Sequence, residues 1–339
     1  VLFSFDSASR FHRFSGFRPS SCTFVEYRMG GGNITIQGTG VCLPHYTIML
    51  RPRGTLARAL YNKYKSDEHL LTLDRNEWYR VETNRLKPEY ASLYVPMAPD
   101  EDTDTFLETS ARLSNSILTQ IYHSLVKFVF GFFMTQTSIN GWLGRGSMFV
   151  FSKKQFARLT GKSEGVGGKM VDLGAGDGAA TQVMASFYND VTVTELSQPM
   201  RKQLARSGFK VEEIDRWFST SYDLVSCLNL LDRCERPKTL LGQIRAAMKP
   251  DGIAVVAVVL PFKPYVESGN RDHMPQEVLP IRGNTFEEQV ESVIESVLTP
   301  AGFVVRSWTR LPYLCQGDLN QAYYWLHDVV FTLSLAPRN

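Results

Sequence analysis

Cysteine is scarce in this sequence, which contains five cysteines among its 339 residues. Their number is odd and none of them forms a C-x-x-C pair, which argues against both a zinc site and a disulfide framework. Cys227 and Cys315 lie in apolar runs, so we expect both to be buried free thiols. The sequence therefore predicts no metal centre; the other cysteines are Cys22, Cys42 and Cys234.

Long apolar runs and a strong charge of one sign are missing as well. No run reaches the roughly 18 apolar residues of a membrane span, and the nearest candidate, Leu125 to Met134, is shorter and contains Lys127. The net charge is +3, with acidic and basic residues interspersed, whereas a dedicated nucleic-acid binder carries a basic patch. We expect no membrane span and no nucleic-acid partner.

The chain does contain a glycine-rich turn at the end of an apolar strand. The strand Lys169–Leu173 leads into Gly174, Gly176 and Gly178, and a helix opens at Ala179. Glycine allows a sharp turn and leaves room for a ligand to approach the backbone. The spacing is G-x-G-x-G, and the acid Asp172 precedes the first glycine.

A second acid strengthens this pattern. The next strand, Val191–Thr194, ends at Glu195, about 20 residues further on, where a carboxylate can accept hydrogen bonds from both ribose hydroxyls. Together the turn and Glu195 are typical of a site for S-adenosylmethionine (SAM). The alternative is an ordinary strand-to-helix turn with a solvated acid.

From Lys169 onward, predicted strands and helices alternate, which indicates a parallel sheet covered on both faces. Ala301–Val305 and Tyr323–Leu335 then predict an antiparallel pair at the sheet edge, as methyltransferases have. The fold class that we predict is therefore α/β, Rossmann-like, of the class I SAM-dependent methyltransferases. The remaining predicted strands are Val211–Glu213, Tyr222–Cys227 and Ile253–Leu260, and the predicted helices cover 179–187, 198–206, 237–248 and 286–298.

Three regions are predicted along the chain. Residues 1–50 are rich in glycine and serine without a sustained period, so we expect a poorly ordered leader. Residues 51–160 predict a helical extension that packs on the catalytic domain, and residues 161–339 predict the methyltransferase domain itself. An acidic loop at 100–104 is expected to cap a helix that starts near Thr105.

Two further elements of the extension bear on function. A long helix is predicted over Ser116–Phe133, with an apolar stripe that we expect to dock on the catalytic domain rather than on a membrane. A glycine-rich loop at Ile139–Ser147 follows. It either folds over the cofactor, with Arg145 near the cofactor's carboxylate, or serves as a hinge.

The loops that follow the next two strands supply the remaining candidates. Asp215 could accept from the adenine amine and Trp217 could stack on the ring; otherwise they are a helix cap and a core aromatic. Asn229 and Asp232 are three residues apart and face the same way if a helical turn begins there. Asp232 could hold an amine or imidazole nucleophile in the right tautomer, or it could cap the next helix.

Several long runs of the sequence resemble the DREV family of methyltransferases, over roughly residues 51 to 336. The runs that carry the resemblance are Thr137–Gly141, Gly144–Phe151, Asp172–Gly178, Thr194–Ser197, Ser226–Cys234, Leu260–Phe262 with Pro264–Glu267, and Thr309–Cys315 with Gly317-Asp318.

This resemblance implies a seven-strand, SAM-dependent protein-histidine methyltransferase. Such an enzyme methylates the Nπ (N1) atom of histidines in His-x-His stretches with a small x, and yields 1-methylhistidine and S-adenosylhomocysteine. It also implies an intracellular location, in the endoplasmic reticulum or the mitochondrion, and we expect a monomer.

The resemblance also implies roles for single residues. The residue patterns above already predict that Asp172, Gly174, Gly176, Glu195 and Asp215 bind the cofactor, and the resemblance likewise implies Glu195 on the ribose. Asn229 and Tyr313 would line the cofactor, while Asp232 and Tyr324, with Tyr313 beside them, would contact the target imidazole. The catalytic residues would be Asp232, Asn229 and Tyr324.

Two other functions stay open from the residues alone. One is a SAM-dependent methyltransferase of a small molecule. An Asn-Pro-Pro-Tyr run, usual for adenine or glutamine amine targets, is absent because Leu230 follows Asn229. The other is a non-catalytic SAM-binding adaptor, although the intact glycine turn and its acids argue against decay of the site.

Overall fold

A computed structural model describes residues 54–165, 167–267 and 272–337. The predicted leader at 1–50, with Cys22 and Cys42, lies outside these ranges, while Cys227 and Cys315 are buried free thiols as predicted.

One eight-stranded sheet organises the fold. Its strands are β1 (Met148–Phe149), β2 (Lys169–Leu173), β3 (Asp190–Thr194), β4 (Lys210–Glu212), β5 (Tyr222–Leu228), β6 (Met248–Leu260), β7 (Phe303–Gln316) and β8 (Tyr323–Leu335).

The strands lie in the order β1-β7-β8-β6-β5-β2-β3-β4. Strand β2 pairs in parallel with both β3 and β5, so the chain reverses its direction of winding at β2. Strands β6 and β8 pair antiparallel, as do β7 and β8, which confirms the predicted C-terminal pair. In such a sheet the crevice at the carboxyl ends of the strands on either side of the reversal is the ligand site.

The prediction of seven strands is wrong by one. The eighth is β1, whose Met148 and Phe149 pair with Cys315 and Leu314 at the edge of the sheet. A two-residue strand has no periodicity that a sequence could reveal. Strand β7 also runs much further than predicted, to Gln316, so Tyr313 lies inside a strand rather than in a loop.

Helices cover the sheet on both faces. No helix among the described residues is both long and apolar enough to cross a bilayer. The α-helices are α1 (Thr55–Leu71), α2 (Pro88–Ala91), α3 (Glu101–Ser114), α4 (Ile117–Phe130), α5 (Gln136–Leu143), α6 (Lys153–Thr160), α7 (Ala179–Ala185), α8 (Gln198–Arg206), α9 (Pro237–Ala247) and α10 (Phe286–Val293).

Helix α3 starts earlier than predicted. Its N-cap is Asp100, whose carboxylate accepts from the Thr103 N–H at 3.1 Å, so the acids Glu101, Asp102 and Asp104 form its first turn rather than a preceding loop. Acids are stabilised there by the partial positive charge of the helix N-terminus.

The predicted loop at Ile139–Ser147 is wrong in its first half, because α5 extends through Leu143 and ends at Gly144, whose φ is +59°. The Thr135 hydroxyl caps α5 by accepting from the Ser138 N–H. Gly141 allows the close approach of α8, because a Cβ there would lie 2.9 Å from Met200 Cγ.

Helix α4 forms as predicted, but its apolar stripe does not dock on the catalytic domain. That expectation is wrong, because the side chains of the stripe are exposed to solvent while Gln120 and Val126 of the same helix are buried. The exposed positions are Ile117, Ile121, Leu125, Phe128 and Phe132.

The segment before α3 is fixed to the sheet through Trp308 of β7. This side chain is fully buried, and its indole Nε1–H donates to the Tyr90 carbonyl at 2.8 Å. The Trp308 backbone continues the contact, because its N–H donates to the Leu93 carbonyl and its carbonyl accepts from the Val95 N–H. The helical extension is therefore bonded to the sheet by backbone as well as by side chain.

Candidate active site

The glycine turn lies at the carboxyl end of β2, next to the reversal point of the sheet. Gly174, Gly176 and Gly178 all have positive φ values, of 68°, 58° and 84°, a conformation that side chains with a Cβ disfavour. The turn is bonded to the end of β3, because the Ala175 N–H donates to the Thr194 carbonyl at 3.0 Å. The sequence prediction of a strand, a tight turn and a helix is confirmed.

Glu195, which directly follows β3, holds this turn in place. Its buried carboxylate accepts from the Gly176 N–H at 3.0 Å and from the Ser197 N–H at 2.8 Å. A carboxylate fixed by two backbone donors is already oriented before any ligand arrives, so binding loses little side-chain entropy. Glu195 therefore stands beside the glycine turn with acceptor capacity left for hydroxyl groups.

We expect Glu195→Ala to weaken SAM binding by about 10- to 100-fold, since a hydrogen bond to a charged group contributes about 1.5–3 kcal/mol. Isothermal titration measures this directly. The matched control is Glu213→Ala, which removes an exposed carboxylate paired with Arg201 and should leave the affinity unchanged. Equal SAM affinity for Glu195→Ala and the wild type would show that this carboxylate does not hold the ribose.

Asp172 lies below the turn and is turned into the protein. Its carboxylate accepts from the Thr181 hydroxyl at 2.5 Å and from the Ser226 hydroxyl at 2.6 Å. Burial raises the pKa of Asp172 to about 6. These contacts tie β2 to β5 and to α7, so in this structure the carboxylate supports the floor of the site, and its role on the cofactor stays a prediction.

Tyr313 reaches the turn through Met148. The Tyr313 hydroxyl donates to the Met148 sulfur, and the Met148 methyl carbon lies 3.4 Å from where a Cβ on Gly176 would be. The extension thus contributes Met148, which the sequence did not identify, to the space above the glycines. The side chain of Tyr313 is buried, and burial raises its pKa well above the ordinary value.

Asn229 directly follows β5 and has an unusual backbone conformation. Its φ is +53°, a left-handed value that is uncommon for a residue other than glycine and is concentrated at functional sites. Its amide Nδ2 donates to the Asp328 carboxylate at 2.6 Å, while Asn229 Oδ1 and Asp328 Oδ1 are buried without a partner. Two buried oxygen atoms therefore lack a hydrogen-bond partner at the end of β5.

Asp328 was not predicted from the sequence as a site residue. It is fully buried in β8, and burial raises its pKa well above the ordinary value. The signal that could have found it is an acid directly before the apolar run Val329-Val330-Phe331, since a buried carboxylate in a central strand needs a polar partner.

Asp232 stands at the same edge of the sheet. Its side chain is 2% exposed, and burial raises its pKa to about 6. One carboxylate oxygen pairs with Arg233 Nε at 3.1 Å, while Oδ1 is buried and has no partner. Its negative charge acts on both Asp328 and Tyr313. Asp232, Asp328 and Tyr313 therefore lie near one another, and Asn229 joins them through its hydrogen bond to Asp328.

Tyr324 lies in β8, four residues before Asp328. Its hydroxyl donates to Asp318 at 2.9 Å, and the charge of Arg145 acts on it. Arg145 is buried and donates to the Gly317 carbonyl at 3.2 Å. In this structure Arg145 therefore supports the loop that carries Asp318. Its contact with the cofactor carboxylate stays a prediction.

Asp215 and Trp217, the two residues predicted to contact adenine, differ in their exposure to solvent. Asp215 is exposed in the loop after β4, where a ligand can reach it. Trp217 is only 3% exposed and packs in the hydrophobic core beneath α9. Of the two alternatives for Trp217, the structure has the core aromatic.

The residues at this edge of the sheet fit a SAM molecule. The glycines form the tight turn with positive φ, Glu195 offers a fixed carboxylate beside them, and Asn229 offers an unsatisfied buried oxygen. Strand order, glycine turn and the acid after β3 define a class I SAM-dependent methyltransferase, and its methyl donor is SAM.

Within that class, the chain belongs to the DREV methyltransferase family, whose model matches residues 78–335. It is also similar to the mitochondrial ubiquinone biosynthesis O-methyltransferase of Schizosaccharomyces pombe, with 24% identity over 27% of this chain and 38% of that protein. The ubiquinone biosynthesis O-methyltransferase of Bordetella avium is 31% identical over 25% of this chain and 40% of its own length. The chain thus spans well under half of these two relatives.

Solved methyltransferase structures show a more distant likeness. The DhpI–SAH complex is 17% identical, with a TM-score of 0.36 and coverage of 66% of this chain and 98% of that chain. A putative type 11 methyltransferase from Sulfolobus solfataricus is 15% identical, with a TM-score of 0.33 and coverage of 51% and 86%.

Proposed function

We propose that this chain is a protein-histidine methyltransferase that transfers the methyl group of SAM to the Nπ atom of histidines in His-x-His stretches. The observation that carries the proposal is the buried Asp232 carboxylate, whose Oδ1 has no hydrogen-bond partner. An imidazole N–H is a donor of the right kind for this acceptor. The resemblance to the DREV family supports the same acceptor.

The Asp232 carboxylate would act on the imidazole in two ways. By accepting the Nτ–H, it would keep the proton on Nτ, so that Nπ carries the free lone pair that attacks. It would also stabilise the positive charge that develops on the ring as the new N–C bond forms. SAM, when bound, supplies the electrophilic methyl group. The neutral ring becomes a methylated imidazolium, which then releases its Nτ proton.

Neighbouring side chains would give the pocket its shape. Asn229, fixed by Asp328, would orient the methyl donor, and Tyr313 would close the space above the glycine turn through Met148. Tyr324, oriented by Asp318, would contact the second half of the acceptor stretch. A small x residue would let the two imidazoles enter a pocket whose walls are largely buried side chains.

The proposal predicts a pH dependence with a definite sign. The Asp232 pKa is raised to about 6 by burial, and free imidazole has a pKa of about 6.5. Both groups must be deprotonated, so kcat/KM should rise with pH through about 6 to 6.5 and level off above about 7. A rate profile between acid and neutral pH measures this. A rate that falls as pH rises through this window would contradict the role of Asp232.

The experiment that tests the acceptor uses purified protein, labelled SAM and two peptides. One peptide carries Gly-His-Gly-His-Gly, and the control has both histidines replaced by alanine. We expect label in the first peptide alone. Label in both peptides, or in neither while SAM binds, would exclude histidine as the acceptor.

A small-molecule O-methyltransferase is the second candidate, because both curated relatives named above are O-methyltransferases. Asp232 could then accept the proton of a hydroxyl group. A phenolic acceptor added to the same assay separates the two candidates. Transfer to the phenol without transfer to the histidine peptide would favour the second, and SAM binding without any transfer would favour an adaptor.

A further inference from the structure

Arg233 directly follows Asp232 and forms an ion pair with it. The Arg233 Nε atom lies 3.1 Å from Asp232 Oδ2, and the two side chains are 10% and 2% exposed. Ion pairs on a protein surface contribute little, whereas charges shielded from water interact strongly. Arg233 therefore dominates the electrostatic surroundings of the proposed catalytic carboxylate.

The guanidinium group of Arg233 also contacts an aromatic ring. It lies over the ring of Tyr265, 6.0 Å from the ring centroid, in a cation–π arrangement. Tyr265 stacks in turn on His273, with the ring centroids 4.5 Å apart and the planes inclined by 20°. A planar guanidinium suits such a surface better than the ammonium group of lysine does. The loop after β6, which carries both rings, thus helps to place Arg233.

Backbone hydrogen bonds join this loop to the segment that carries Asp232. The Tyr265 N–H donates to the Asp232 carbonyl at 2.8 Å. The Val266 N–H donates to the His273 carbonyl at 2.8 Å, and His273 Nδ1 lies 2.9 Å from the Val266 carbonyl oxygen. The Tyr265 ring therefore has a fixed position beside the Asp232–Arg233 pair.

The ion pair makes the two oxygens of Asp232 inequivalent. Oδ2 pairs with Arg233, while Oδ1 is buried and has no hydrogen-bond partner among the described residues. An ionised carboxylate accepts through both oxygens, so Arg233 leaves Oδ1 as the acceptor for an imidazole N–H. A single acceptor atom fixes the direction of the ring, which in-line attack on a methyl group requires.

The charge of Arg233 also opposes the effect of burial on Asp232. Burial raises the pKa of Asp232 to about 6, and Arg233 acts in the opposite direction. The other titratable groups on which the charge of Asp232 or Arg233 acts are Cys227, Cys234, Tyr313, Cys315 and Asp328. All five are acidic groups, so none of them can replace the positive charge of Arg233.

We propose that Arg233 is a positioning residue for methyl transfer: it occupies Oδ2 of Asp232, keeps this carboxylate ionised and leaves Oδ1 to the acceptor ring. Tyr265 holds the guanidinium group in place. The proposal rests on the proposed role of Asp232 in histidine methylation, and it brings the loop after β6 into the site.

The pH profile of Arg233→Gln tests the proposal. A neighbouring arginine typically lowers the pKa of a carboxyl group by about 1–3 units, so without it the rise of kcat/KM should move from about pH 6–6.5 to about pH 7 or higher. A shift of one unit corresponds to a loss of about fivefold at pH 6 and to a small loss above about pH 8.5. Arg233→Lys restores the charge and should move the rise back toward the wild-type position. An unmoved rise in Arg233→Gln, or a rate lowered by the same factor at every pH, would overturn the proposal.

Two sets of variants serve as matched controls. Arg236 lies in the same segment, and its Nε donates to Gln276 at 2.8 Å rather than to a carboxylate, so Arg236→Gln should keep the wild-type profile. Tyr265→Phe keeps the ring and should behave as the wild type does, whereas Tyr265→Ala should move the rise in the same direction as Arg233→Gln, by a smaller amount. An equal shift in Arg236→Gln would overturn the proposal, and a wild-type profile for Tyr265→Ala would overturn the part assigned to Tyr265.

Unfolding in urea tests the ion pair without any methyl acceptor. At about pH 7.5, Arg233→Gln should lower the unfolding midpoint in the wild-type background and much less in the Asp232→Asn background, where no buried charge needs compensation. Near pH 5, where Asp232 is protonated in the native state, the loss in the wild-type background should shrink. This coupling together with an unlabelled histidine peptide would contradict the proposed function but support the ion pair. Equal losses in both backgrounds would overturn the role of Arg233 whatever the acceptor is.

Discussion

Asp232→Ala is expected to abolish methyl transfer while SAM still binds. Without the carboxylate, the acceptor ring loses both the group that fixes its tautomer and the charge that stabilises the developing imidazolium. Removing such a group typically costs about 10²- to 10⁴-fold in rate. Single-turnover kinetics with the histidine peptide measures the loss, and isothermal titration should give a SAM affinity close to that of the wild type.

The free energy of unfolding of Asp232→Ala distinguishes a loss of catalysis from misfolding. Burial raises the Asp232 pKa to about 6, so at neutral pH the native state holds a charge that its surroundings disfavour. Replacing it should leave the free energy of unfolding unchanged or slightly increase it, as is common for functional residues. Asp232→Asn, which keeps the shape and one acceptor oxygen but not the charge, should retain more activity than Asp232→Ala. Full activity in either variant would remove Asp232 from the mechanism.

Among the substitutions considered, Trp308→Ala is expected to lower the free energy of unfolding the most. Truncating a fully buried tryptophan costs about 3–5 kcal/mol, and here it also leaves the Tyr90 carbonyl without its donor. The free energy of unfolding in urea should fall by this amount. The segment between α1 and α3 should become more sensitive to protease, because Trp308 fastens it to β7.

Trp308→Phe is the matched control. It keeps most of the apolar volume beside Tyr94, whose ring centroid is 5.0 Å from that of Trp308, and loses mainly the indole hydrogen bond. We expect a cost of about 1–3 kcal/mol, the range for a buried acceptor left unsatisfied. A loss below about 1 kcal/mol for Trp308→Ala would show that the extension is not anchored there.

Sequence reasoning found the elements that obey local rules. The turn at Gly174, Gly176 and Gly178 was predictable because a backbone with positive φ favours glycine, and Glu195 followed from the spacing of adjacent parallel strands. The C-terminal antiparallel pair followed from two apolar runs.

Features that depend on tertiary pairing could not be predicted from the sequence. Strand β1 exists only because Met148 and Phe149 meet β7, and Asp328 matters only because Asn229 lies across from it. Helix α4 shows the limit in another way. Its period predicted a helix correctly, but periodicity cannot tell which side of a helix faces the protein, and the expected docking surface is the exposed one.

The most direct test of the histidine proposal is the position of the new methyl group. The labelled Gly-His-Gly-His-Gly peptide is hydrolysed, and the two methylhistidine isomers are separated by chromatography and identified by mass spectrometry. A carboxylate that holds the proton on Nτ predicts label in 1-methylhistidine alone. Label in 3-methylhistidine, or an even mixture of the two isomers, would contradict the role of Asp232 and with it the proposed mechanism.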